Sequence, residues 1–207
     1  MKLLRHCWMI ILPFLIAFHS CKKNENMPVY ISDEYKNYFN WQAGTYWVYY
    51  DSLTGDTDSI IVSWSRTRKP FQLDGKQTDP LEDIWAFATE YTNDTPARAW
   101  TFKLLAPDKF SVDITNGNYG NNITTTVLSG NPVSTGRIDN YRNCYLLPLY
   151  DDGGNNYTNI YSSVTEYAPY WKLVFNVSLD QGIVSMAFTG TALHPASLHL
   201  IRYHIVK

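Results

Sequence analysis

What most constrains this chain is how often its apolar alternation restarts. Short runs with a large apolar residue at every second position recur along it, each ended by a turn signal. A two-residue period places alternate side chains on opposite faces of a strand. Residues 45–51, TYWVYYD, predict the first strand, aromatic on both faces. Gly55-Asp56 supplies the permissive backbone of a turn, and residues 59–65 return with Ile60, Val62 and Trp64 on one side and the serines and Ile61 on the other. Trp85, Phe87 and Tyr91 share a face within 83–92. Trp100, Phe102 and Leu104 alternate next, followed by Phe110, Val112 and Ile114. Later runs cover 123–128, 160–167, 170–177, 182–188 and 198–206, with Trp171, Leu173, Phe175 and Val177 on one side of theirs. Pro148 inside the apolar run 144–150 predicts an edge strand. Residues 67–82, with Pro70, Gly75 and Pro80, read as a long loop, and 129–142 has no period. One helix is expected within 32–42, capped by Ser32 or Asp33, with Tyr35, Tyr38 and Phe39 on one face. About ten short strands with almost no helix predict an all-β domain: an antiparallel sandwich, a barrel or a strongly curved sheet. No βαβ alternation and no fixed repeat is visible.

The first residues carry a different signal. Lys2 and Arg5 precede an apolar run at 7–18. That run is about a dozen residues long, whereas a membrane-spanning helix needs about twenty, so it reads as a secretory signal. Ser20-Cys21 at its end resembles the lipobox of bacterial lipoproteins. The resemblance implies cleavage before Cys21 and acylation of its thiol. The chain then divides into a signal at 1–20, a lipidated cysteine and polar tether at 21–31, and a domain at 32–207. Each buried methylene is worth about 0.8 kcal/mol, so the three acyl chains implied by the resemblance would hold the protein permanently. Lys22 and Lys23 add attraction to anionic headgroups. Lys2 and Arg5 leave with the signal, so the formal charge of −2 becomes −4. A mildly acidic chain without a basic block argues against a nucleic-acid partner.

Tyr38-Phe39, Gly44, Tyr46-Trp47-Val48-Tyr49 and Asp51, then the Gly-Asp turn and Asp58-Ser59, resemble the opening of small secreted lipoproteins common in Bacteroides-type bacteria. Gly182-Ile183-Val184 and Leu200-Ile201-Arg202-Tyr203 are similar to their closing strands. This resemblance implies a cell-envelope location, the outer membrane on one side or the other. It also implies an all-β fold of the lipocalin or lipoprotein-carrier kind, and no catalytic residues.

The residues themselves offer little reactive chemistry. Cys144 is the one cysteine left beyond Cys21, and its apolar neighbours predict a buried, inert thiol. No cysteine cluster holds a metal, and no cofactor fingerprint is present. His199 and His204 lie an odd number apart, which on a regular strand sends them to opposite faces, His199 with Ile201 and Tyr203. His194 falls in a loop. No G-x-S-x-G elbow accompanies the serines. Asp83, Glu90, Asp113 and Glu166 are the acids from which a glycosidase pair would come. The loops at 56–58 and 151–155 hold oxygen ligands without EF-hand spacing. The sequons at Asn93, Asn122, Asn156 and Asn176 read as chance in a chain rich in Asn and Thr. Aromatic residues make up 15%, which serves a broad core or a recognition surface. Trp47, Tyr49, Trp85, Trp100 and Trp171 are the candidate ligand contacts. The leading expectation is a lipid-anchored binding module for a partner protein, a glycan or an apolar ligand. The alternatives are a polysaccharide hydrolase with paired carboxylates and a structural partner in an envelope complex.

Overall fold

The computed structural model describes residues 27–73, 76–93, 95–116, 122–129, 136–139, 142–167, 170–190 and 195–207. The signal segment, Cys21, His194 and the loop at 117–121 lie outside them. Among the described residues one helix, α1 (Asp33–Phe39), precedes fourteen strands. They are β1 (Tyr46–Asp51), β2 (Thr57–Arg68), β3 (Phe71–Leu73), β4 (Lys76–Asp79), β5 (Asp83–Thr92), β6 (Thr95–Leu105), β7 (Lys109–Asn116), β8 (Asn122–Ser129), β9 (Gly136–Asp139), β10 (Arg142–Asp152), β11 (Asn155–Tyr167), β12 (Trp171–Ser178), β13 (Gly182–Gly190) and β14 (Ala196–His204).

The fold is all-β. Twelve strands make one antiparallel sheet in the order β8-β7-β6-β5-β2-β1-β14-β13-β12-β11-β10-β9. Almost every neighbour in space is a neighbour in sequence, so short turns build two meanders. The β1–β14 ladder joins them, bringing the start of the domain to its end. The terminal strands β8 and β9 do not pair, so the sheet is open; neither a closed barrel nor a two-sheet sandwich forms. The sheet bends over its own core. Trp100 on β6 and Phe188 on β13 are five strands apart in the order, about 24 Å in a flat sheet, yet their ring centroids are 5.9 Å apart.

α1 fills the space between the two wings. Ser32 caps it by accepting from the Tyr35 amide, as its residue type predicts. Tyr35, Tyr38 and Phe39 are all buried. Phe39 stacks on Phe110 at 4.3 Å and Tyr38 meets Tyr161 edge-on at 5.4 Å, so the helix touches both wings. Trp41 follows, 4.8 Å from Trp47 and 5.0 Å from Phe102. Buried Glu82 anchors this segment, accepting from the Ile31 amide and pairing with Lys36 at 2.9 Å.

Two expectations are corrected, and a third is met within a longer strand than expected. Residues 67–82 are not a loop: β2 runs to Arg68, and β3 and β4 form a separate hairpin. Residues 144–150 belong to an eleven-residue strand that pairs with β11 along its length and with β9 only at Arg142–Cys144, so the edge expected around Pro148 is present among the described residues. Pro148 is tolerated there because β9 pairs only with Arg142–Cys144, which leaves β10 a local edge at the proline. Finally, a bulge between Val48 and Tyr49 shifts the β14 register. Tyr50 then pairs with His199 and Tyr46 with His204, so both histidines share the outer face, while Tyr203 opposite Trp47 does not.

Candidate functional site

Three of the five candidate contacts are core. Trp47 is fully buried, and its indole N–H donates to the Gln181 carbonyl at 2.9 Å. Gly182 lies against that ring with φ +70, and a Cβ there would fall 2.7 Å from the indole nitrogen. Tyr49 is buried and donates to the Ile183 carbonyl at 3.0 Å. Trp100 is buried and donates to Glu90 at 2.7 Å. Trp171, half-buried, packs at the core's margin. No aromatic groove runs through these residues.

Trp85 is different. On β5 the even positions Ile84, Ala86, Ala88 and Glu90 are buried, so the odd positions face out. Phe87 is 37% exposed there, with Trp85 half-buried beside it. Alternation on β2 predicted Trp64 inside with Ile60 and Val62. A bulge between Val62 and Trp64 overturns this. Trp64 pairs with Phe87, their centroids 5.1 Å apart, and is 47% exposed. The rings of Trp85 and Phe87 stack at 6.2 Å. Two cations lie on this strip. The Arg66 guanidinium sits 5.9 Å from the Trp64 centroid and 5.3 Å from Trp85, while the Lys103 ammonium sits 4.7 Å from Trp85. Lys103 is also bonded to Asp113. The Trp85 indole nitrogen and Asp113 Oδ1 have no hydrogen-bond partner. Sequence reasoning missed Trp64, Arg66 and Lys103. The one available signal was their opposition across β2, β5 and β6, which becomes visible only once register is known.

The opposite wing holds a polar cluster that was also missed. The tip of the β10–β11 hairpin reaches over β13 and β14. Tyr150 bonds Ser185 at 2.9 Å, and Asp152 bonds His199 Nδ1 at 2.6 Å. His199 Nε2 lies 3.2 Å from both Ser52 Oγ and Ser197 Oγ. Acid, imidazole and hydroxyl thus stand in relay order. Acyl transfer also needs donors for a developing oxyanion, and the nearby amides are spent. Ser52 N–H donates to the Ser197 carbonyl, and those of Leu53 and Ser197 donate to Asp51. The cluster fastens the hairpin to the sheet.

The acids are matched to cations one by one. Asp83 pairs with Arg68, Asp113 with Lys103, and Glu166 with Lys172 at 4.0 Å. Glu90, fully buried, accepts from Arg98 at 2.8 Å and from Trp100. Burial pushes its carboxyl up, against the pull of Arg98, and buried Asp58 is pushed up by the same cause. In the acidic loops, Asp56 accepts from Asn93 and Asp151 from the Gly154 amide. Among the described residues no three His, Cys, Asp or Glu side chains converge as metal ligands. Cys144 is buried, which raises its thiol to about 11. A shallow hollow of about 220 Å³ lies among Asn155, Asn156, Tyr157, Gln181, Leu200, Ile201 and Tyr203. Among the described residues no helix is long and apolar enough to cross a membrane. Comparison with family models, with characterised proteins and with solved structures finds no match to this chain.

Proposed function

We propose that this is a glycan-binding module, held at the cell envelope by a lipid on Cys21, with the outer face of β2, β5 and β6 as its contact surface. The observation that carries the reading is the strip of Trp64, Phe87 and Trp85, partly open to solvent on the outer face of the sheet. Aromatic faces attract the polarised C–H bonds of a sugar ring, and three neighbouring rings offer a chain of sugars successive contacts. Polar partners for sugar hydroxyls are at hand, because Thr101 stands opposite Phe87 on β6 and Asp113 stands opposite Thr101 on β7. These are directly opposed residues, so they share the face. A protein partner would more often bury a continuous apolar patch. Here the rings are interleaved with Arg66, Lys103, Thr101 and Asp113.

The test is affinity electrophoresis of the full-length protein through gels carrying neutral or acidic polysaccharides. Retardation by at least one polymer, abolished in the Trp64→Ala/Phe87→Ala double variant, is expected. Retardation that the double variant retains would overturn the assignment of the surface. Crosslinking from position 64 that captures an envelope protein and no glycan would favour the partner-protein reading. The anchor is tested separately by metabolic labelling with palmitate, which the Cys21→Ser variant should lose.

A further inference from the structure

We infer that the glycan taken by this face is acidic, and that Arg66, with Lys103 beside it, receives a sugar carboxylate. The inference rests on the glycan reading above and adds the charge class of the ligand.

Arg66 is an unusual cation for this chain. Arg68, Arg98 and Lys36 each sit on a carboxylate. Arg66 instead sits over the rings of Trp64 and Trp85, and among the described residues no ion pair occupies it. Arg66 is exposed, and a guanidinium edge matches a carboxylate two bonds at a time.

The surroundings favour an anion too. Lys103 stands over the same indole as Arg66. Asp113 on this face is already bonded to Lys103, and Asp83 at the strand end is held by Arg68, so Arg66 leaves one positive charge in excess. The strip is therefore positive in a chain whose formal charge is −2. A neutral sugar stacked on Trp64 and Phe87 would leave the Arg66 fork unpaired. A uronic acid would stack the same way and fill it.

The experiment is calorimetric titration of the full-length protein in detergent with uronate polymers (polygalacturonate, alginate and hyaluronate), with methyl-esterified polygalacturonate as the uncharged match. Binding of a uronate polymer at least about tenfold tighter than the ester is expected, the size of one bidentate charged contact. Arg66→Ala should erase that preference and Arg66→Lys should restore part of it. Trp64→Ala should weaken acid and ester alike, and Leu149→Ala, exposed on the other wing, should match the wild type. Equal affinity for acid and ester, unchanged in Arg66→Ala, would overturn the acidic-ligand inference; loss of that binding in Trp64→Ala would then leave the glycan reading standing. No binding to any of these polymers would overturn both.

Discussion

One sheet presents two outer surfaces, and the chain treats them in opposite ways. Over β13 and β14 the β10–β11 hairpin tip lies across the strands, and each polar side chain beneath it has a partner, Asp152 with His199, Tyr150 with Ser185 and Asn176 with Ser185, although Asp152 Oδ2 and Asn176 Oδ1 stay unpaired. Over β2, β5 and β6 the rings stay open and the polar groups are only partly spent. Arg66 lies on rings, and the Trp85 indole nitrogen has no acceptor. The contrast is sharp within one residue type. Trp100, facing inward, donates to Glu90, whereas Trp85, facing outward, donates to nothing. A buried donor without a partner costs about 1–3 kcal/mol. Polar capacity consumed inside the protein stabilises the fold, while the exposed Arg66 guanidinium, which has no carboxylate among the described residues, is available to a ligand.

The contrast breaks first where spent groups are cut. Glu90→Ala leaves the Arg98 guanidinium buried without its carboxylate and should lower unfolding stability by about 3–5 kcal/mol in urea titrations. His199→Ala removes a charge-assisted bond that holds the hairpin and should cost about 1.5–3 kcal/mol. Amide hydrogen exchange should accelerate at the β10–β11 tip in that variant and stay unchanged in β5 and β6. A smaller effect follows from pH. The carboxyls of Glu90 and Asp58 titrate higher folded than unfolded. Their contribution is therefore fully present below the unfolded values, near 4.5 and 3.8, and is lost as pH rises through the folded ones. Urea midpoints across that window should flatten in Glu90→Gln. On the open face, Trp64→Ala should move stability by only about 0.5 kcal/mol, with its effect appearing in binding instead.

The alternation was legible wherever strands ran without interruption. Trp100, Phe102 and Leu104, or Phe110, Val112 and Ile114, needed only a two-residue period to be placed inside. The same arithmetic failed at Trp64 and at His199, because one extra residue in a strand reverses every side chain beyond it, and bulges leave no mark in composition. The hairpin tip over β13 was equally hidden, since contact between Asp152 and His199 depends on how β10 and β11 leave the sheet. Trp47 looked like a ligand contact because it is large and aromatic. What makes it core is a glycine and a carbonyl that a different strand supplies. Candidate residues could thus be listed from sequence, but their sorting into core and surface needed register.

The most direct measurement is an indole N–H NMR titration of the protein with polygalacturonate, each tryptophan signal assigned by substitution. The account predicts shifts at Trp64 and Trp85, with Trp47 and Trp100 unmoved. Shifts at Trp47 or Trp100 with Trp64 and Trp85 silent would contradict it.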